Sequence, residues 1–514
     1  MSLLMLSSFW VYMIALIVVG ISKYKNNNAS EFYLGNKKSD KYVTGISAQI
    51  SVYGGYIFLT LPGMIYAFGA NKAWIAAGLF LGTVVNWIVV PKRLKKYTTK
   101  KNNTITIPEY LNSRFDDKKG VTQFVCAFII MFFLIIMSAC TFVTLGKVLA
   151  YITNLDYSGA LIICMIVIMI YVAVGGYNAV CLTDYIQGLL CFIGIFSISI
   201  VAIMLMGKEY IVPNIYHSGI EGSTVEFLNV FEKDGNRLGV LEIISQIVVG
   251  FGICGLPQGA IRFMGAKDGK TLVKSSRVAI VWSLAVITCS CVVGVIGRAY
   301  LYPNVLGTDN NAFEYIYLEI TQKAFLKDVN SPFVAGILLC SAVAGIMAVL
   351  DSQILTGASS VANDIICGLF FKKVSDKVQV TIGRIAVVII TGFSGIFALL
   401  FDINVNEVLF DCWSCMGCIF GPVIILSLYW KRMNKYGTIS GMIFSIISVF
   451  LWQHLECFEL NGTMVSPEVY YGINAIHVGL IVCIVSILLV SLVTKPLSKE
   501  NIEEFTDIMK DNFQ

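Results

Sequence analysis

One carboxylate lies in the middle of a long apolar segment. The segment runs from about Ser331 to Cys367, and the stretch Ala344-Gly-Ile-Met-Ala-Val-Leu-Asp351-Ser-Gln353 places Asp351 near its centre. A charged side chain at the centre of a bilayer costs about 2.5–3.5 kcal/mol on insertion scales, and such residues commonly mark ion, proton or substrate pathways. Asp351 is therefore the first candidate for a functional residue, with ion or proton binding as its chemistry.

Metal binding and enzyme chemistry have weaker support. Cys412, Cys415 and Cys418 follow an i, i+3, i+6 spacing, but they lie in an apolar segment where packing of small side chains accounts for the pattern. The three histidines are dispersed, and no nucleophile elbow, phosphate loop or zinc signature occurs. We expect no enzyme activity, no resident metal and no cofactor beyond a coupling cation, H⁺ or Na⁺.

Composition identifies an all-α polytopic membrane protein. The 514 residues are 57% hydrophobic and only 13% charged, whereas soluble domains have about 25% charged residues. Apolar runs of 18 or more residues recur along the whole chain, as expected of membrane-spanning helices. The net charge of +5 is spread over short loops, so the expected partners are the lipid bilayer and a small-molecule solute, not nucleic acid. No oligomeric state is predicted.

The apolar runs predict about thirteen spans, with the N-terminus outside and the C-terminus cytoplasmic. Loops 92–120 and 263–275 are rich in lysine and arginine, whereas loops 208–237 and 302–330 are mixed or acidic. Basic loops stay on the cytoplasmic side, which predicts this orientation in the plasma (cell) membrane. The first span lacks a signal-peptide pattern and is expected to be retained. The predicted spans are 4–22, 43–69, 73–91, 121–152, 157–176, 178–207, 238–262, 276–301, 331–367, 380–401, 406–430, 437–456 and 472–494.

Two of these spans contain helix-breaking residues. The second has Gly54-Gly55 and Pro62-Gly63, and the seventh has Gly250, Gly252, Gly255 and Pro257. Broken helices five spans apart are typical of transporters built from two inverted repeats, with the substrate at the membrane midplane. The alternative is that these residues only help helices pack. The predicted organisation is an extra N-terminal helix and loop (1–42), a first repeat (43–207), a second repeat (208–430), and two C-terminal helices with a short tail (431–514).

Several stretches in order along nearly the whole chain resemble the sodium/solute symporter family, and within it the sodium/proline symporter branch. The resemblance implies the LeuT-type fold of two inverted five-helix repeats, alternating access, and secondary transport of a solute. The matching stretches are Phe32-Tyr-Leu-Gly35, Leu61-Pro-Gly63, Trp74-Ile-Ala, Asn86-Trp87, Ile107-Pro-Glu-Tyr-Leu-Asn-Ser-Arg-Phe115, Gly175-Gly176, Thr183-Asp184-x-x-Gln187, Gly255-x-Pro257, Arg262-Phe-Met264, Phe420-Gly-Pro422 and Trp430-x-Arg432.

The family's sodium site is degenerate in this sequence. The resemblance places backbone ligands at Ile50, Tyr53 and Gly345, and side-chain hydroxyl ligands at Ala348 and Val349, which have no side-chain oxygen. The aspartate of the proline branch on the second span is replaced by Val52. Because a hard cation needs about five or six oxygen ligands, by analogy with the rule for hard divalent cations, these losses predict a weak sodium site or none.

The resemblance also brings Asp351 close to Asp184. Two adjacent buried carboxylates cannot both ionise cheaply, so the pair, with Ser352, predicts coupling to a proton. The alternatives are that Asp184 and Asp351 bind sodium or another cation, or that they form a structural pair with hydroxyls such as that of Ser352. The function classes that follow are a proton-coupled symporter, a sodium-coupled symporter, an uncoupled facilitator, and a sensor acting through a partner protein.

The predicted substrate site differs from that of the proline branch. The backbone at Gly54 and Gly55 leaves N–H groups that favour a carboxylate, which predicts an amino acid or monocarboxylate as solute. Arg262 and Arg384 are expected near cytoplasmic helix ends, in helix-end or lipid-facing roles. Tyr56 and Trp413 fit either solute contact or packing. The predicted substrate residues are Gly54, Gly55, Tyr56, Ser138, Ile253, Pro257 and Trp413.

Overall fold

The computed structural model consists almost entirely of helices with short connections. Two small antiparallel hairpins pair Glu232–Lys233 with Asn236–Arg237 and Phe458–Leu460 with Thr463–Val465. The predicted outer loop 208–237 includes residues 219–226, which lie outside the described part of the chain. The structure describes residues 3–23, 28–101, 103–218, 227–233, 235–307, 309–371, 374–401, 405–460 and 462–510.

The elements follow the chain in this order. The helices up to the middle of the chain are α1 (Leu3–Ser22), α2 (Ala29–Leu34), α3 (Lys41–Gly55), α4 (Leu61–Phe68), α5 (Ala73–Val89), α6 (Pro91–Lys100), α7 (Ile107–Phe115), α8 (Val121–Thr153), α9 (Tyr157–Met206) and α10 (Ile211–His217). The remaining elements are β1 (Glu232–Lys233), β2 (Asn236–Arg237), α11 (Val240–Val249), α12 (Pro257–Gly265), α13 (Gly269–Leu301), α14 (Ile316–Gln322), α15 (Pro332–Ser359), α16 (Asp376–Leu400), α17 (Val405–Tyr429), α18 (Lys435–His454), β3 (Phe458–Leu460), β4 (Thr463–Val465), α19 (Pro467–Tyr471), α20 (Ala475–Val493) and α21 (Lys499–Lys510).

The second predicted span is broken where the glycines indicated. Gly54 has φ +30° and ψ −120°, a backbone conformation that favours glycine. A π-helical turn over Tyr56–Thr60 follows, and α4 begins with Pro62 in its first turn, where a missing N–H costs nothing. The break brings backbone polar groups to the interior of the protein.

The seventh predicted span is also broken. After α11 the chain forms a 3₁₀ segment over Gly250–Gly255, and Leu256 is extended. Pro257 then starts α12, and the two halves meet at 49°. Prolines favour extended backbone before them and helix after them, which explains the position of this break. Both predicted breaks are confirmed.

The expected thirteen spans agree with the helices. In the described residues, eleven helices are long and apolar enough to cross a membrane, and the broken α11–α12 pair is a further span. α9 has 50 residues, which is too long for one crossing of a bilayer core of about 30 Å. Gly176, with φ +57° and ψ −151°, divides α9 at the predicted boundary between spans 157–176 and 178–207.

α15 occupies the centre of the molecule. It packs against α1, α3, α8, α9 and α16, and residues 344–348 are fully buried. The helix continues as a π-helical segment over Ser360–Phe370. Because α15 is surrounded by other helices, its polar residues face protein, not lipid. Asp351, Ser352 and Gln353 are each no more than 1% exposed.

Replacing Gly54 with alanine is expected to destabilise the break. An alanine Cβ would lie 2.0 Å from Val349 Cγ2 and 2.6 Å from the Gly345 carbonyl oxygen, in a strained backbone conformation. Backbone strain and overpacking each cost about 1–3 kcal/mol, so Gly54→Ala should lower the melting temperature of the purified protein. Gly392→Ala in α16 is the control, because nothing lies within 4 Å of its Cβ position. Equal melting temperatures for the two variants would contradict this assignment.

Candidate ion-coupling and substrate site

A buried ion pair connects the helices that form the candidate ion-coupling site. Asp184 on α9 accepts hydrogen bonds at Oδ2 from Ser47 Oγ (2.6 Å) and from Arg262 Nη2 (3.0 Å). The two charged side chains are 0% and 3% exposed. The Arg262 guanidinium also lies over the Tyr177 ring, 4.9 Å from its centroid. Three elements, α3, α9 and α12, therefore meet at one carboxylate.

Asp351 lies beside this pair. Its Oδ2 accepts a hydrogen bond from the Tyr171 hydroxyl (2.8 Å), and its Oδ1 accepts one from Ser352 Oγ (3.2 Å). Ser352 Oγ in turn accepts from Arg262 Nη2 (2.6 Å). The Asp351 and Asp184 side chains are near enough to interact directly. The structure thus brings together the three predicted ion-coupling residues, Asp184, Asp351 and Ser352.

Arg262 has a different environment from the one predicted. It does lie in the last turn of α12, but it is 2% exposed and ion-paired, so the expectation of a lipid-facing role was wrong. The reason is the bend after Leu256, which turns α12 inward against α3. Sequence analysis also missed Ser47 and Tyr171. A serine and a tyrosine within apolar segments give no sequence signal of a site by themselves.

With both carboxyl groups ionised, the site would carry one more negative charge than positive charge. Arg262 is the only described cationic side chain paired with either aspartate. Asp351 receives only hydroxyl hydrogen bonds, and Asp184 Oδ1 is buried with no hydrogen-bond partner in the described part of the chain. Burying an unpaired charge is costly, and so is leaving a buried acceptor without a donor. One proton, or one bound cation, would remove the charge imbalance.

The positions of the degenerate sodium site lie along the contact between α3 and α15. Ile50 and Ala348 are buried, and the Tyr53 hydroxyl hydrogen-bonds to the Leu79 carbonyl and to Thr83. The Gly345 carbonyl faces the break at Gly54, but the Val349 side chain packs in the same gap. Ala348 and Val349 thus place methyl groups, which cannot ligate a hard cation, at the two positions where the resemblance predicts hydroxyl ligands.

A large cavity lies between the two broken spans. Its volume is about 630 Å³, which suits a small organic solute. Of the predicted substrate residues, Gly55, Tyr56 and Trp413 line it. Gly54, Ser138, Ile253 and Pro257 are buried nearby and are not on its wall. Trp413 Nε1 donates to the Val249 carbonyl (3.2 Å), which fixes the indole against the seventh span.

Charged residues on the cavity wall come from helix ends and connecting segments. They are Lys72, Glu242, Glu314 and Glu468. Burial raises the pKa of the Glu468 carboxyl to about 7, with a smaller contribution from the nearby Asp411 carboxylate. Glu468 Oε1 accepts a hydrogen bond from Asn474 Nδ2 (3.1 Å). Glu468 is therefore protonated below about pH 7 and ionised above it, so it changes the charge of the cavity wall.

Removing Arg262 is expected to unfold the site unless its partner is removed too. Arg262→Met leaves Asp184 buried without its counter-ion, a change that typically costs about 3–5 kcal/mol. The double variant Asp184→Asn, Arg262→Met should recover much of that loss in thermal unfolding of purified protein. Arg277→Met removes an exposed arginine and is the matched control. If Arg262→Met unfolds at the same temperature as Arg277→Met, the ion pair is not formed.

In the comparison with known proteins, the matching family and the similar proteins agree with one another. A sequence profile of the family described as "Sodium:solute symporter family" matches residues 32–445. The osmoregulated proline transporter OpuE of Bacillus subtilis (strain 168) is 31% identical over 510 residues, covering 98% of both chains. The sodium/proline symporter of Haemophilus influenzae is 30% identical over 453 residues, covering 88% of both.

Solved structures have the same fold. A Na⁺-coupled sialic acid symporter in a substrate-bound outward-open state superposes with a TM-score of 0.76 at 16% identity, covering 97% of this chain and 99% of that one. Mhp1, a nucleobase-cation-symport-1 family transporter, superposes with a TM-score of 0.54 at 12% identity, covering 94% and 99%. The fold is LeuT-type, as predicted. The chain belongs to the sodium:solute symporter family and is a membrane transporter, not an enzyme.

Proposed function

We propose that the protein is a proton-coupled symporter that moves a small amino acid or monocarboxylate across the cell membrane by alternating access. The observation that supports coupling at Asp351 is the set of contacts made by the neighbouring carboxyl groups of Asp184 and Asp351. Asp351 forms no ion pair within 4 Å among the described residues, and Asp184 Oδ1 has no hydrogen-bond donor there. A single proton supplies both the missing positive charge and the missing hydrogen bond. Proline is the first solute to test, because the relatives are named for it.

The neighbouring Asp184 carboxyl group favours a proton on Asp351, because two adjacent buried carboxylates cannot both ionise cheaply. Tyr171 and Ser352 donate hydrogen bonds to the two Asp351 oxygens. Tyr12 of α1 is also close enough to interact with it electrostatically. Sodium would need several oxygen ligands directed at one point, by analogy with the oxygen-ligand rule for hard cations. The nearby family positions Ala348 and Val349 provide methyl groups instead.

Sodium coupling is the second candidate, and the family and its proline-transporting relatives favour it. In this case sodium binds between Asp184 and Asp351. Arg262 Nη2 already occupies hydrogen-bonding positions on Asp184 and Ser352, so a second cation there would compete with the guanidinium. An uncoupled facilitator would keep Asp351 protonated through the whole transport cycle.

The proposed arrangement in the membrane has the N-terminus outside. Spans within 43–207 and 208–430 form the two inverted repeats, and the cavity between the broken spans holds the solute. Binding the proton at Asp351 neutralises the site and lets α12 move against α15 without exposing an unpaired charge to the interior. The solute and the proton are then released to the cytoplasm when the cavity opens to that side.

Uptake in proteoliposomes tests the coupling ion. An inward proton gradient without sodium should drive accumulation of labelled proline, and a sodium gradient at equal pH on both sides should not. Asp351→Asn should abolish gradient-driven accumulation and retain counterflow exchange, because it removes the titrating group but keeps the polar contacts. Strict dependence on sodium would overturn proton coupling.

Glu468→Gln separates the coupling site from the cavity wall. Because the Glu468 pKa is about 7, its ionisation contributes to the change of solute affinity between pH 6 and 8. In Glu468→Gln this pH dependence of affinity should become weaker, while proton-driven accumulation remains. Loss of accumulation in Glu468→Gln would move the coupling role from Asp351 to Glu468.

A further inference from the structure

A second, smaller pocket lies where two membrane-spanning helices end. Its walls come from α6, which follows the span α5 directly, from the first turns of the span α13, and from the C-terminal helix α21. Its volume is about 270 Å³, and it shares no lining residue with the solute cavity. The residues that line it include Lys92, Arg93, Lys96, Lys270, Val273 and Met509.

The wall of this pocket is cationic and includes no acidic residue. None of the ion pairs between described residues includes Lys92, Arg93 or Lys270. The adjacent Asp268 is the N-cap of α13, and its Oδ1 accepts a hydrogen bond from the Thr271 N–H (2.6 Å). The carboxylate therefore caps its own helix, and the positive charge of the three side chains is available to a ligand.

Membrane orientation alone does not account for this arrangement. Basic residues that only orient the spans need to lie in a loop, but they do not need to converge on a pocket. Arg93 is held in place, because its Nη1 donates to the Leu428 carbonyl (2.9 Å) and its guanidinium lies 3.8 Å from the centroid of the Tyr429 ring. Lys96 is only 6% exposed, and its Nζ donates to the Met509 carbonyl (2.8 Å). Positioned cationic side chains are typical of sites for phosphate groups.

The pocket is adjacent to the lipid-facing surface. Ile88 lies four residues before Lys92, one helical turn away, and is 69% exposed. Val281, about two turns after Val273 on α13, is 68% exposed. Both helices are long and apolar enough to cross a membrane. An acyl chain can therefore contact exposed apolar side chains while its headgroup occupies the pocket.

We propose that this pocket binds the phosphate group of an anionic phospholipid from the adjacent leaflet. The ammonium groups of Lys92 and Lys270 donate to the phosphate oxygens, and Arg93 adds a positive charge in a fixed position. A zwitterionic phospholipid brings its own ammonium group to the cationic wall and is bound less tightly. The lipid tails lie along the exposed apolar side chains of α5 and α13.

A bound lipid also contacts the C-terminal helix. α21 packs on α6, where Lys101 and Glu504 form an ion pair, and the Phe505 ring lies 3.7 Å from the Arg114 guanidinium. Met509 brings the last turn of α21 to the pocket wall. A headgroup in the pocket therefore adds contacts between α6, α13 and α21, and it should stabilise the docked position of α21.

Thermal unfolding of the full-length protein in detergent tests the pocket. Dioleoylphosphatidylglycerol should raise the melting temperature at concentrations where dioleoylphosphatidylcholine, which has the same chains, has no effect. The double variant Lys92→Gln, Lys270→Gln should fold, because both lysines are exposed, and should bind phosphatidylglycerol about 30-fold more weakly. Lys118→Gln, Lys119→Gln removes two exposed lysines outside the pocket and should bind it as wild type does.

Hydrogen exchange and inorganic phosphate identify the position and the source of the ligand. Phosphatidylglycerol should slow amide exchange in residues 499–510 of the wild type and not in Lys92→Gln, Lys270→Gln, whereas unchanged exchange in the wild type overturns the site beside α21. Equal stabilisation by phosphatidylcholine overturns selection of an anionic headgroup. Equal phosphatidylglycerol affinity of the two double variants overturns the pocket. Inorganic phosphate should stabilise only weakly, and stabilisation as strong as that by phosphatidylglycerol at equal concentration overturns a lipid as the ligand.

Discussion

The arrangement of the site depends on the ion pair between Arg262 and Asp184. Burying a charge pair has a desolvation cost, which is offset only when both partners also form further hydrogen bonds. Here Ser47 donates a hydrogen bond to Asp184, and Arg262 donates one to Ser352. The pair holds the second half of the broken seventh span against α9 and α15. Asp351 and Gln258 of the cavity wall each lie within one helical turn of a residue in this contact, since Asp351 precedes Ser352 and Gln258 lies four residues before Arg262.

The pair also bears on the proposed coupling to a proton. Arg262 supplies a permanent positive charge beside Asp184, and Val349 fills the gap at the Gly54 break. With Asp184 paired to Arg262 and Asp351 without an ion pair among the described residues, a proton or a bound cation would balance the charge of two ionised carboxyl groups. The proposed function assigns that role to a proton.

Much of the fold was predictable from sequence, because it depends on local chemistry. The lengths of the apolar segments predicted the spans. The positions of glycine and proline predicted both breaks and the division of α9 at Gly176. The burial of Arg262 was not predictable. Its partners Asp184 and Ser352 are 78 and 90 residues away in sequence, and only the tertiary packing of α12 brings them together.

The most direct test of proton coupling is the pH inside sodium-free proteoliposomes when solute is added outside. A trapped pH-sensitive dye should report acidification of the lumen on addition of L-proline to wild-type protein, and no change with Asp351→Asn. The absence of acidification in wild-type vesicles, together with sodium entry driven by proline when sodium is supplied, would contradict proton coupling at Asp351.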